Sequence, residues 1–279
     1  MKVMVIYHKD FGEYGHPVLK ERVAPSFESL RDLVLENRIQ VATPVLTPEV
    51  HALIEQIHTP EHIAEVKEAG FYYVAALSCA GVVQGAAALA EGEAEAAFAY
   101  VGAAGHHAGR SHFWGFCYLN DVAAAVLHLR KKYGLKRFLV LDVDPHFGDG
   151  TRDLLGKDPE VIHLNFYAGW DSRADEVYHN YDFGLRAADD EAFLRALDEA
   201  FSRSYEFDFM FVIFGHDSHF KDYGGFRLTD AAYPAFAAKV KQFAAGKPLL
   251  FVLSGGSRAD VAKAAIRSIL LVLLNSQAG

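Results

Sequence analysis

The sequence predicts an α/β fold in which a parallel sheet is covered by helices on both faces. Short apolar strands alternate with longer helical segments, several strands are apolar on both faces, and polar residues follow four of the strands. Strands buried on both faces are typical of parallel sheets, which repeated βα units generate. No repeat, low-complexity tract or linker marks a boundary, so we expect a single domain over residues 1–279.

Six strands are predicted from short runs rich in β-branched and aromatic residues, at Val3–Tyr7, Ala97–Val101, Arg137–Val143, Val161–Phe166, Phe209–Phe214 and Leu249–Leu253. One helix opens at Thr59-Pro60, where an N-capping threonine precedes a proline at the first helical position. The other predicted helices cover Val74–Leu89, Asp121–Lys132, Asp190–Ser204, Thr229–Ala244 and Ser257–Leu274.

Composition narrows the class of protein. Hydrophobic residues make up 51% of the chain, enough for a sizeable core, and the net charge of −9 argues against a general nucleic-acid binder. There is no uninterrupted 18-residue apolar run, so we expect no membrane span. The N-terminus resembles a strand more than a signal peptide, and two cysteines form no disulfide framework. We therefore expect a cytoplasmic protein, with most of its 14 histidines on the surface.

Four predicted strands end in polar or glycine-rich segments. These segments contain His106-His107, the run from Asp144 to Asp149, His216-Asp217, and Ser254-Gly255-Gly256-Ser257. Ligand sites in open α/β sheets form beyond the carboxyl ends of the strands. The sequence therefore predicts a functional site at this edge of the sheet.

Three residues of these segments suit a metal ion. Asp144 and His146 are two apart, so at an extended strand end both side chains point the same way. Asp217 follows a different strand and is a possible third ligand. Two carboxylates and one imidazole leave a coordination position open, which is typical of catalytic zinc.

The adjacent His106 and His107 lie in a glycine-flanked turn. Hydrolysis of an acyl group beside a metal needs a base for water and an acid for the leaving amine, and two histidines can serve both steps. Asp142 and Asp149 flank the metal motif, where each can orient a histidine. Two unrelated surface histidines are the alternative, which these residues alone leave open.

Four segments carry a resemblance to a known family. They are GHPVLKER (15–22), GHHAGRSHFWGFCYLNDVAAA (105–125), LDVDPHFGDGT (141–151) and FGHDSHFKDYGGFRLT (214–229). Their order and spacing resemble those of histone deacetylases and acetylpolyamine amidohydrolases across nearly the whole chain. The resemblance implies an arginase–deacetylase fold with a parallel sheet of about eight strands.

The resemblance also implies roles for individual residues. One zinc ion would be bound by Asp144, His146 and Asp217. His106 and His107 would form the general acid–base pair, backed by Asp142 and Asp149 respectively. The substrate channel would be lined by Gly115, Phe116, Gly255 and Gly256.

Relatives often bind a structural potassium ion near the zinc, and the resemblance implies that backbone oxygens of Asp142, Asp144 and His146 would contribute. A serine hydroxyl usually helps, but His163 stands at that position. The potassium site is therefore in doubt.

The largest departure from the family is Ser257, which stands where a tyrosine normally donates to the developing oxyanion. Serine is much shorter, and loss of one oxyanion donor lowers kcat about 10²–10³-fold. The chain is then an enzyme with another donor, a weakly active or binding-only relative, or a variant substituted to trap a substrate. Tyr118, Tyr167 and Tyr223 are possible substitute donors.

Three functions follow. The first is zinc-dependent hydrolysis of an acylated amine, such as acyl-lysine, acylpolyamine or another small amide, with His107 as the base. The second is a catalytically impaired or binding-only protein, because of Ser257. The third is a binuclear manganese ureohydrolase, which needs further ligands where this chain has Gly148 and Ser218-His219. We expect a small-molecule or peptide acyl-amine as partner.

Overall fold

The computed structural model describes residues 2–275, in which nine strands form one sheet. The strands are β1 (Val3–Ile6), β2 (Ile39–Ala42), β3 (Ala96–Ala99), β4 (Phe138–Asp142), β5 (Val161–Tyr167), β6 (Arg173–Asp175), β7 (Asn180–Gly184), β8 (Phe209–Phe214) and β9 (Leu249–Leu253). Their order across the sheet is β2-β1-β3-β9-β8-β4-β5-β7-β6. Eight strands run parallel, as predicted, and β6 is an antiparallel edge strand.

Eleven α-helices lie in the described part of the chain. They are α1 (Asp10–Glu13), α2 (Val23–Glu28), α3 (Arg31–Leu35), α4 (Pro48–Ile57), α5 (Pro60–Glu68), α6 (Tyr72–Ala90), α7 (Asp121–Tyr133), α8 (Asp149–Leu155), α9 (Asp190–Phe201), α10 (Ala232–Ala244) and α11 (Ala259–Leu274). Helix α6 packs on β1, β3 and β9, whereas α10 and α11 pack on each other. Strands β3, β4, β8 and β9 are buried at every residue, as in a sheet covered on both faces.

The predicted elements are present. The sequence analysis missed the strands β2, β6 and β7 and the helices α1 to α4 and α8. Helix α5 opens as predicted, because Thr59 Oγ1 accepts a hydrogen bond from the His62 amide at 3.2 Å. Strands β2 and β6 were missed because they lie at the sheet edges, where most of their residues are exposed and no apolar run is needed. Helix α11 begins at Ala259 and not at Ser257, because the Asp222 carboxylate accepts from the amides of Ser257 and Arg258.

Helix α6 is the one described helix that is long and apolar enough to cross a membrane by length and composition alone. However, 78% of its most apolar window is buried inside the fold. Contacts with α7 and with β1, β3 and β9 cover this apolar surface, as expected for a core helix.

The expectation that most histidines lie on the surface is wrong. Eight of the 14 are buried: His58, His62, His106, His107, His128, His163, His216 and His219. Two of these clamp the loop that carries the predicted acid–base pair. His58 Nδ1 donates to the Gly109 carbonyl at 2.7 Å, and its Nε2 accepts from the Asn120 amide at 3.0 Å.

The His62 ring stacks on the His58 ring with centroids 4.2 Å apart, and its Nε2 lies 2.7 Å from the Tyr118 carbonyl. Burial, together with the neighbouring His62, lowers the pKa of His58 from 6.5 to about 3. His58 therefore stays neutral in the folded protein at pH values where the unfolded chain binds a proton.

We expect this clamp to weaken with acid. Because the pKa of His58 is lower in the folded protein than in the unfolded chain, neutral His58 contributes fully to the free energy of unfolding above pH 6.5. This contribution is lost as pH falls towards 3. The His58→Gln variant should be less stable than wild type at about pH 7.5. Between about pH 7.5 and about pH 5.5, its free energy of unfolding, measured in urea, should fall by about 1 kcal/mol less than that of wild type. Equal losses for the two proteins would contradict this account of His58.

Candidate active site

A cavity of about 200 Å³ opens at the carboxyl edge of the sheet. Its walls come from the segments after β3, β4, β8 and β9, the four that the sequence indicated. Most predicted site residues line it, namely His106, His107, Gly115, Phe116, Asp144, His146, Asp217 and Gly255. Asp142 and Asp149 lie behind the histidines, whereas Gly256 and Ser257 do not line the cavity.

Asp144, His146 and Asp217 come together as the predicted metal cluster. One ligand atom from each lies within 4.8 Å of the others, and no other such group of three exists among residues 2–275. Asp144 Oδ2 is fixed by a 2.7 Å hydrogen bond from the Gly255 amide. A Cβ at Gly255 would lie 2.4 Å from Asp217 Oδ2, so this close approach requires glycine.

These side chains fit a divalent cation. Asp144 and Asp217 are fully buried. The one polar side-chain contact of Asp217 in the described residues is His146 Nδ1, 3.2 Å from Oδ2, and its geometry is not that of a hydrogen bond. Burial and the adjacent Asp144 charge raise the pKa of Asp217. A buried carboxylate is strongly unfavourable without a partner, and an ion bound by both carboxylates would remove that penalty. Two oxygen donors and one nitrogen donor suit zinc.

Each histidine of the pair has its own carboxylate partner. His106 Nδ1 lies 3.0 Å from Asp142 Oδ2, and His107 Nδ1 lies 2.7 Å from Asp149 Oδ1. On the other side of the His106 ring, Nε2 is 3.6 Å from Asp144 Oδ2. His106 is therefore held between two carboxylates, whereas His107 contacts one.

Because of this difference, the pKa values of His106 and His107 are shifted in opposite directions. Burial alone would lower the pKa of His106, but the charges of Asp144 and Asp142 outweigh it and raise the pKa to about 9. Burial and then the charge of His106 lower the pKa of His107 to about 4. The surroundings therefore favour the protonated form of His106 and the neutral form of His107.

Trp114 packs on His107. Its ring centroid is 3.7 Å from that of His107, and its Nε1 donates to Asp149 Oδ2 at 2.8 Å. Asp149 therefore binds His107 through one oxygen and Trp114 through the other. Trp114 lines the cavity, whereas Trp170 does not and lies against Arg186.

Ser257, the residue at the expected tyrosine position, faces away from the cavity. Its Oγ donates to Asp222 Oδ1 at 2.9 Å, and its amide donates to Asp222 Oδ2 at 3.0 Å. Asp222 was not predicted, since no motif marks it. The carboxylate also lies 3.4 Å from His216 Nδ1, so it joins the loops after β8 and β9.

Tyr223, the next residue, does line the cavity. Its hydroxyl oxygen accepts a hydrogen bond from the Gly256 amide at 2.9 Å. Its ring centroid lies 5.9 Å from that of His146 and 6.1 Å from that of Phe116. Tyr118, another suggested donor, is buried against Phe71, and the Tyr167 hydroxyl donates to the Asp171 carbonyl.

The predicted potassium site does not fit the residues present. His163 is buried in β5, and its Nδ1 accepts a hydrogen bond from Arg152 Nε at 3.2 Å. This position therefore offers no hydroxyl ligand, and a guanidinium cation already lies beside it.

The fold is an α/β protein with a candidate metal-binding cluster at the carboxyl edge of its sheet, and comparison with known proteins gives the family. Residues 16–273 match the histone deacetylase domain family, and the chain belongs to it. A structure of the HDA15 HD domain is similar in fold, with a TM-score of 0.85 and 22% identity over 100% of this chain and 89% of that chain.

Named relatives include histone deacetylase 5 of Arabidopsis thaliana, 27% identical over 94% of this chain and 46% of its own length. A probable deacetylase of Archaeoglobus fulgidus is 27% identical over 78% of this chain and 70% of its own. Rat polyamine deacetylase HDAC10 is 30% identical over 60% of this chain and 33% of its own. The chain thus spans less than half the length of two of these relatives.

The metal cluster generates a direct prediction. We expect the protein to retain one zinc ion per chain after dialysis, and Asp217→Asn to lower zinc affinity at least tenfold, because it removes one ligand charge. Metal analysis by mass spectrometry and competition with a chromogenic chelator measure both quantities. Asp171→Asn is the matched control at an exposed aspartate. Two ions per chain would instead favour the binuclear alternative.

Proposed function

We propose that this protein catalyses zinc-dependent hydrolysis of an acylated amine. The observation that carries the proposal is the meeting, in one cavity, of the Asp144–His146–Asp217 cluster with the histidine pair His106–His107, each histidine beside its own carboxylate. Zinc, when bound, would polarise the acyl carbonyl and lower the pKa of a water molecule.

His107 is the general base in this proposal. Burial lowers its pKa to about 4, so it is neutral at about pH 7, and Asp149 accepts its Nδ1–H, which leaves Nε2 available to take a proton from water. The same nitrogen returns that proton to the amine as the carbon–nitrogen bond breaks. His106 stays charged between Asp142 and Asp144 and stabilises negative charge that develops beside it.

The walls of the cavity support an acyl-amine as substrate. Phe116, Trp114 and Tyr223 provide aromatic surfaces that suit an alkyl chain on its way to the metal cluster. The names of the relatives point to acetylated amines on proteins and on polyamines alike. We therefore propose acyl-lysine, acylpolyamine or a related small amide as the substrate class.

A catalytically impaired or binding-only protein is the second candidate. It is favoured by one observation, the hydrogen bonds that hold Ser257 on Asp222 and away from the cavity. In that case the zinc-loaded protein would bind acyl-amines without turning them over.

The proposal is tested with zinc-loaded protein on a panel of short- and long-chain acyl-lysine peptides and acylpolyamines. We expect turnover of at least one member, and a loss of about 10²–10⁴-fold in kcat for His107→Gln with zinc content retained, because only the base is removed. Liberated amine is quantified by mass spectrometry.

Two controls accompany this experiment. His51→Gln replaces a half-buried histidine outside the cavity and should keep wild-type kcat. Asp144→Ala should lose zinc and turnover together. Full activity in Asp144→Ala, or no turnover of any panel member by zinc-loaded wild type, would reject the proposed hydrolysis.

A further inference from the structure

If the proposed hydrolysis is correct, the acyl carbonyl oxygen becomes negatively charged in the transition state and needs a hydrogen-bond donor in the cavity. Ser257 does not supply it, because both its hydroxyl and its amide donate to Asp222. Trp114 is also excluded, because its Nε1–H donates to Asp149. His106 contributes charge, but its Nε2 lies 3.6 Å from Asp144 Oδ2 and so faces that carboxylate. A neutral hydroxyl of the cavity wall is the remaining candidate for the donor.

Two hydroxyl groups line the cavity, those of Tyr223 and Ser254. The Tyr223 oxygen is fixed by the Gly256 amide, which donates to it at 2.9 Å. This bond uses a lone pair and leaves the phenolic proton free. Among residues 2–275 that proton has no acceptor, although the side chain stands in the wall of a polar site.

The position of Tyr223 is fixed by hydrogen bonds to the preceding residue, Asp222. Asp222 accepts from the amides of Ser257 and Arg258, at 3.0 and 3.1 Å, and this joins the loop after β8 to the loop after β9. Tyr223 follows directly and reaches the same loop at Gly256. The contacts that turn Ser257 away thus also place a tyrosine hydroxyl beside the loop where the family normally carries its tyrosine.

The surroundings of the ring agree with this position. Tyr223 lies between the channel residue Phe116 and the predicted ligand His146, with ring centroids at 6.1 and 5.9 Å. Ser254 is the rival donor: its buried hydroxyl has no hydrogen-bond partner in the described residues. Serine is the shorter side chain, and no hydrogen bond from the described residues fixes its hydroxyl oxygen as Gly256 fixes that of Tyr223.

We infer that Tyr223 is a catalytic residue that donates its hydroxyl hydrogen bond to the developing oxyanion, in place of a tyrosine at position 257. Tyr223 keeps its proton throughout. Water oxygen bonds to the carbonyl carbon, the carbon–nitrogen bond breaks, and the amine leaves with the proton carried by His107.

The test compares Tyr223→Phe with wild type in two measurements on zinc-loaded protein. The kcat on an active substrate should fall about 10²–10³-fold with KM changed less than threefold, because the donor acts in the transition state. Affinity for a trifluoromethyl ketone analogue, whose hydrate resembles that state, should fall at least tenfold by calorimetry. A tyrosine that only supports Gly256 would not separate kcat from KM in this way.

Matched variants make the result decisive. Tyr178→Phe, at a partly exposed tyrosine outside the cavity, should change neither measurement, and zinc content and melting temperature check that Tyr223→Phe is intact. Ser254→Ala should keep at least a third of wild-type kcat. Ser257→Tyr should give no gain, whereas a tenfold gain would show that the natural site lacks a donor and would overturn the inference.

The inference and the proposed function fail differently. If wild type turns over no substrate, the proposed hydrolysis is rejected. The role of Tyr223 as a donor is then tested by the affinities for the analogue alone. Equal analogue affinity for wild type and Tyr223→Phe overturns the inference, as does a larger kcat loss in Ser254→Ala than in Tyr223→Phe.

Discussion

The burial of two carboxylates side by side, Asp144 and Asp217, is the constraint on which the rest of the site depends. They are brought together because β4 and β8 are adjacent and parallel in the sheet, so that both strands end at one edge. Such a pair is unfavourable in a folded protein unless a cation lies between its members. Two residues stabilise the pair. Gly255 donates its amide to Asp144 and has no side chain to clash with Asp217. His106 places positive charge beside Asp144.

The second level of organisation is the contact between the loops after β8 and β9. Asp222 accepts hydrogen bonds from the amides of Ser257 and Arg258, so α11 starts two residues later than the sequence predicts. The same contact presents Tyr223 to the cavity. Ser257 is therefore part of a hydrogen-bond network that joins the two loops. The effect of this serine on the chemistry depends on the loop after β8, which carries Asp222 and Tyr223.

The sequence predicted the sheet, and the residues that meet at its edge, where one strand or one motif carries the signal. Buried strands such as β4 and β8 are continuous apolar runs, and the residues after them include Asp144, His146 and Asp217. It missed edge strands, whose pairing depends on neighbours distant in the chain. It also missed Asp222 and the burial of His58, because hydrogen bonds between separate loops leave no periodic pattern.

The proposed chemistry requires one divalent ion bound by oxygen and nitrogen donors of Asp144, His146 and Asp217. X-ray absorption at the zinc edge of the zinc-loaded protein reports the atoms around the metal. We expect a shell of oxygen and nitrogen atoms at about 2.0–2.2 Å, with one imidazole and no sulfur. Sulfur at about 2.3 Å, contributed by Cys117 in the cavity wall, or a second metal within about 4 Å would contradict it.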